Sequence, residues 1–114
     1  MHDGLYYLRV EPAEGGRAAN GGIFVLREGK ILGGDAFFYY VGRYSVAGDG
    51  RWNGEFATQQ HTRSELAVPV FGANEVTASF TGRYAAATAE IEATCKAGDA
   101  VRGFRIALSR IADA

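Results

Sequence analysis

The stretch Val76–Lys96 reads VTASFTGRYAAATAEIEATCK, and its parity decides the fold. Val76, Ala78, Phe80, Gly82 and Tyr84 fall on one side of an extended chain, and Glu75, Thr77, Ser79, Thr81 and Arg83 on the other, because successive strand side chains point to opposite faces. The pattern then repeats, with Ala87, Ala89, Ile91, Ala93 and Cys95 opposed by Thr88, Glu90, Glu92, Thr94 and Lys96. One dry face and one wet face suit an antiparallel sheet with water on one side. Gly82, Arg83 and Tyr84 echo Gly42, Arg43 and Tyr44, which open a second alternating stretch running through Ser45 to His61.

Working outward from these two copies, the remaining chain divides into further strands. Leu5, Tyr6, Tyr7, Leu8 and Val10 supply β-favouring bulk on both faces of a first strand from Gly4 to about Glu11. A polar loop from Pro12 to Asn20 precedes a second strand, Gly22 to Arg27, and Glu28, Gly29 and Lys30 carry hairpin-turn chemistry. Ile31 and Leu32 begin a short third strand, and Gly33, Gly34 and Asp35 are expected to break it. A fourth spans about Phe37 to Val46. In the last, Phe104, Ile106 and Leu108 share a face, while Arg105 and Ser109 point away. From Gln60 to Asn74 two readings stand open: a single helical turn capped by Ser64 and ended by Pro69, or a short strand through Val68, Val70 and Phe71. The total is about eight strands in one domain. The predicted fold is all-β, an antiparallel up-and-down barrel of lipocalin-like or calycin-like form, with an interior that side chains fill or that holds one small ligand.

Composition narrows the function. Sixteen glycines and two prolines fit many tight turns. Twelve basic residues against thirteen acidic ones leave a formal charge of −1, which gives no broad attraction to nucleic acid or to an anionic membrane. One cysteine excludes an internal disulfide, and neither a secretory apolar region nor a run of about twenty apolar residues is present. The expected location is the cytoplasm.

Reaction chemistry is hard to place. His2 and His61 sit at a terminus and a strand end and, with one cysteine, make no metal-ligand spacing. Cys95 belongs to a small apolar face and reads as an inert buried thiol. Glu90 and Glu92 read as a solvated outer wall, with a partner-facing acidic patch as the alternative. Gly15, Gly16, Gly21 and Gly22 lack the following helix of a phosphate loop. No catalytic residue, cofactor or metal is implied, and the expectation is a protein that is not an enzyme.

The aromatic residues say more. With Phe38, Tyr40, Gly42 and Tyr44 inward, Phe37, Tyr39 and Val41 face outward, and three apolar neighbours on an outer wall predict a homodimer interface, with cover by the loop Pro12 to Asn20 or Gln60 to Asn74 as the alternative. Tyr40, Tyr44, Trp52, Phe56, Phe80, Tyr84 and Phe104 are expected to line the interior, beside small residues such as Gly54, Ala78, Gly82, Ala89 and Ala93. These small positions either permit tight ring packing or leave a pocket for an apolar small molecule, and parity does not choose between the two.

Asp3 to Tyr6, the run Gly22 to Gly29, and Lys30, Ile31, Leu32, Gly33, Gly34 and Asp35 followed by Tyr40 and Gly42 resemble the GrlR family, small bacterial repressors of type III secretion gene expression. The resemblance covers about the first 45 residues, and the rest only as a strand pattern. It implies a lipocalin-like barrel that dimerises and a repressor that acts in transcription regulation by capturing a helix-turn-helix activator. Within the motif, Gly33, Gly34 and Asp35 read as structural, the carboxylate accepting backbone N–H bonds. The family carries four alternating acids after its fourth strand. The corresponding positions here are about Val46 to Gly50, where only Asp49 is acidic, so Asp49 is the residual partner-binding candidate and the partner is expected to differ. The alternative is a carrier or sensor of a small apolar ligand held in the barrel, gated by Pro12 to Asn20 and Gln60 to Asn74.

Overall fold

The computed structural model describes residues 1–114 as eight strands: β1 (Gly4–Pro12), β2 (Ala19–Arg27), β3 (Lys30–Gly34), β4 (Phe38–Val46), β5 (Arg51–Gln60), β6 (Val76–Tyr84), β7 (Thr88–Ala97) and β8 (Ala100–Asp113). Each pairs antiparallel with the next, and β8 returns to β1, where Tyr7 lies opposite Ser109 and Val10 opposite Ile106. The barrel therefore closes, as the strand count and parity predicted, and closure leaves no unpaired strand edge. No helix is long and apolar enough to cross a membrane.

Local chemistry sets the tight ends. Glu28 and Gly29 both adopt positive φ, 50° and 82°, between the paired residues Arg27 and Lys30, the geometry a two-residue hairpin needs to match strand twist. Together with the turns at 47–50 and 85–87, this hairpin forms the narrow mouth of the barrel. The loops at 13–18, 35–37, 61–75 and 98–99 form the wide mouth.

Inside, the expected parity holds across the sheet. Tyr6, Leu8, Val10, Phe24, Leu26, Ile31, Tyr40, Trp52, Phe56, Phe80, Ile91, Phe104, Ile106 and Leu108 are all buried in one continuous core. Of the aromatic residues expected there, Tyr44 and Tyr84 are only half-buried, packed against the core at the narrow mouth.

Four local expectations are corrected. The polar loop is shorter than Pro12 to Asn20, since β1 runs through Pro12 and β2 starts at Ala19. Gly33 and Gly34 do not break β3 but end it, paired to Phe24 and Ile23 on one side and to Tyr40 and Tyr39 on the other. A Cβ on Gly33 would stand 1.9 Å from the Ile23 carbonyl oxygen, and one on Gly34 2.3 Å from that of Phe38, so the glycines admit two neighbouring backbones, and Gly34 also takes a positive φ of 153°. Phe37 does not face outward: it lies before β4 begins, in the turn held by Asp35, and packs half-buried against the core. The segment 61–75 is neither helix nor strand, and two turns form in it, one at Ser64, whose Oγ accepts the Leu66 N–H at 3.0 Å, and one in which the Gly72 N–H reaches the Pro69 carbonyl at 3.2 Å.

Candidate functional site

The interior is filled by rings. Tyr44, Trp52, Phe80, Phe56, Phe71 and Phe104 form a continuous series along the barrel, with successive centroids 5.7, 4.8, 6.2, 5.6 and 5.4 Å apart, within the range of favourable edge-on and tilted contacts. Phe24 and Tyr40, 5.5 Å apart, join from the side at Phe56, 5.4 and 6.3 Å away. The small residues make room for these rings: a Cβ on Gly54 would lie 2.8 Å from Phe80 Cζ. Polar atoms within the rings are satisfied, with the Tyr40 hydroxyl donating to the Gly21 carbonyl at 2.6 Å and the Trp52 indole N–H to the Glu90 carbonyl at 3.3 Å. Burial pushes the Tyr40 hydroxyl well above its ordinary range and the Cys95 thiol up to about 12, so Cys95 is an unreactive thiol near neutral pH.

The outer surface has two unlike walls. On the β1–β4 side, Leu32 is 53 % exposed and Val41 48 %, directly opposite each other. Tyr7 and Ile23 form a second opposed pair, and Tyr39 continues that row across Gly34, each 37 to 39 % exposed. Half-buried Leu5, Val25 and Ala57 fill the gaps between them. The patch runs into a shallow depression of about 380 Å³ over Gly42, beside the Arg43–Glu55 ion pair at 2.8 Å. Of the expected interface residues, Tyr39 and Val41 lie in this patch and Phe37 does not. Tyr7, Ile23 and Leu32 were missed, although each has the parity opposite to a buried neighbour: Tyr6, Phe24 and Ile31.

On the other side, β6–β8, β1 and the start of β5 surround a depression of about 580 Å³ with Arg9, Arg51, Arg83, Arg105, Glu11, Glu90 and Glu92. Arg105 pairs with Glu11 at 2.8 Å. Glu90 and Glu92 point to solvent, opposite Arg83 and Arg105 across the ladders, and form no ion pair of 4.0 Å or less. This wall is the alternation that the sequence announced, mainly polar, with Val101 exposed opposite Lys96 at its end.

The motif and loop residues are held within the fold. Asp35 Oδ1 accepts the backbone N–H groups of Phe37 and Phe38, both at 2.9 Å, the structural part assigned to it from sequence. Asp49 accepts the Arg51 backbone N–H at 3.2 Å and its guanidinium at 2.7 Å, bonds that hold its carboxyl below the usual range. His2 lies 3.2 Å from Asp113, and the His61 ring meets the Asp35 carbonyl at 3.1 Å. No three His, Cys, Asp or Glu side chains gather closely enough to hold a metal ion.

At the wide mouth, Arg102 shares the parity of Phe104, Ile106 and Leu108 and lies opposite Cys95, so its side chain rims the barrel opening. Its guanidinium stands 5.2 Å over the Phe104 ring and meets the Glu14 carboxylate at 3.2 Å. The same parity could have placed it from sequence. No family model and no curated protein matches this chain. The fold and surface thus define a class, a closed eight-stranded barrel with one apolar and one charged outer wall.

Proposed function

We propose that this protein is a regulatory protein-binding module: a homodimer joined through the outer wall of β1–β4 that acts on a transcriptional activator by protein contact. The observation that carries the reading is the apolar patch of Tyr7, Ile23, Leu32, Tyr39 and Val41, on strands whose inner faces already supply the core. With side chains of about 150–250 Å² each, these five leave roughly 400 Å² uncovered. That is about half of the roughly 800 Å² per partner found in a standard interface. The polar row of Arg27, Lys30, Arg43 and Glu55 borders the patch and supplies a rim. A second copy is the occupant because a two-fold contact lays one apolar patch on its equal and leaves the rim in water.

The likeness of the first 45 residues to the GrlR repressors supports the regulatory part. With Asp49 tied to Arg51, the charged wall of β6–β8, where Glu11, Glu90 and Glu92 stand among Arg9, Arg51, Arg83 and Arg105, is the surface that remains for a charged partner once the apolar wall is covered.

Light scattering tests the dimer. At about 10 µM, the expected mass is twice 12.2 kDa. Leu32→Glu or Val41→Glu should return the monomer with an unchanged urea midpoint. A 12.2 kDa species from the unaltered chain would end the proposal.

A further inference from the structure

We propose that the wide mouth of the barrel carries a binding site for a small apolar carboxylate, its apolar body under the 61–75 segment and its carboxylate on Arg102. The inference is independent of the regulatory reading and rests on three observations. First, a half-open cleft of about 190 Å³ lies against this segment, lined by Phe71, Gly72, Ala73, Val76, Cys95, Ala97 and Ala100, and the only charged residues at its wall are the cations Lys96 and Arg102. An apolar cavity of about 150 Å³ is enough to hold benzene, so this one suits an arene or short-chain acid of about ten heavy atoms.

Second, the fold already places a carboxylate on Arg102. Glu14 reaches it at 3.2 Å from the 13–18 loop, with both side chains substantially exposed, so an incoming acid replaces an exposed contact rather than a buried one. Gly72 brings the covering segment directly against the same guanidinium, where a Cβ would lie 2.8 Å from Nη1.

Third, the cover is built to lift. From Arg63 to Glu75 the backbone hydrogen bonds are internal, Ala67 N–H to Ser64 O and Gly72 N–H to Pro69 O, both at 3.2 Å. The segment is anchored instead by apolar side chains: Phe71, only 4 % exposed, with Ala67, Val70 and Ala73 beside it. Segments held by few hydrogen bonds and a few apolar contacts open locally before the rest of a fold.

Amide NMR titration of the full chain with benzoate and hexanoate, against benzyl alcohol and hexanol as uncharged counterparts, tests the site. The acids should give saturable shifts centred on Gly72, Ala73, Val76 and Ala97, and bind about tenfold or more tighter than the alcohols, the value of one charge-assisted hydrogen bond. Arg102→Gln should remove that preference while leaving alcohol binding intact. Glu14→Gln, which frees Arg102 without disturbing the core, should tighten acid binding about threefold. Equal affinity for acid and alcohol, acid binding unchanged in both variants, or no saturable shift up to about 10 mM would overturn the proposal.

Discussion

The Glu90 carbonyl oxygen lies where a Cβ of Gly82 would be, 1.9 Å from that position, and also accepts the Trp52 indole N–H at 3.3 Å. Gly42, the equivalent residue of the upstream copy, meets the Glu55 carbonyl in the same way, at 2.1 Å. The repeated glycine therefore sits where the next strand crosses closely. Gly82→Ala should cost about 2–3 kcal/mol, because the clash is with backbone that must move and the Trp52 acceptor moves with it. Gly48→Ala, with nothing within 4 Å, should stay within about 0.5 kcal/mol. Urea unfolding followed by Trp52 emission measures both.

Asp35 holds the β3–β4 turn through two backbone N–H groups. Asp35→Ala should lower stability by about 1–2 kcal/mol, and Asp35→Asn, which keeps an acceptor oxygen, should recover most of it. Equal losses in the two variants would show that the charge, not the hydrogen bonds, matters.

Phe71 joins the covering segment to the core through Tyr40, Phe56 and Phe104, at 6.1, 5.6 and 5.4 Å. Because the segment has no backbone bonds to the barrel from Arg63 onward, Phe71→Ala should release it locally. Tryptic cleavage after Arg63 should accelerate about tenfold or more, while global stability falls by less than the roughly 3–5 kcal/mol typical of Phe→Ala inside a core. Unchanged proteolysis with a full core penalty would mean that the segment unfolds only with the barrel.

Alkaline conditions should destabilise the fold in two stages. Burial raises Cys95 from 9.0 to about 12 and raises Tyr40 from 10.0. The folded chain thus keeps protons that the unfolded chain releases, so stability is intact below about pH 9 and declines as pH rises above it. In Cys95→Ala the decline should begin about one pH unit later, the difference between the 10.0 of tyrosine and the 9.0 of cysteine. Urea midpoints measured across this range, with each protein referenced to its own neutral value, give the comparison.

Parity was readable wherever one face of a strand meets water, as in β6 and β7, because there polar and apolar residues must alternate. It failed where both faces are apolar: Tyr7, Ile23 and Leu32 look like core in the sequence and prove to be outer wall. Phe37 has outward parity but precedes the strand that would enforce it. Gly33 and Gly34 could not show their role, since the atoms that forbid a side chain there belong to β2 and β4.

The sequence alone determined the strand count, the closed antiparallel topology and the inward placement of Tyr40, Trp52, Phe56, Phe80 and Phe104, because period-two alternation and turn residues are local and leave few ways to cover one core. Only the tertiary structure decided that the small residues are filled by rings, that Phe71 closes the wide mouth, and that Arg102 and Glu14 meet there. Those outcomes depend on which side chains from distant strands arrive at the same place, and distance along the chain carries no record of that.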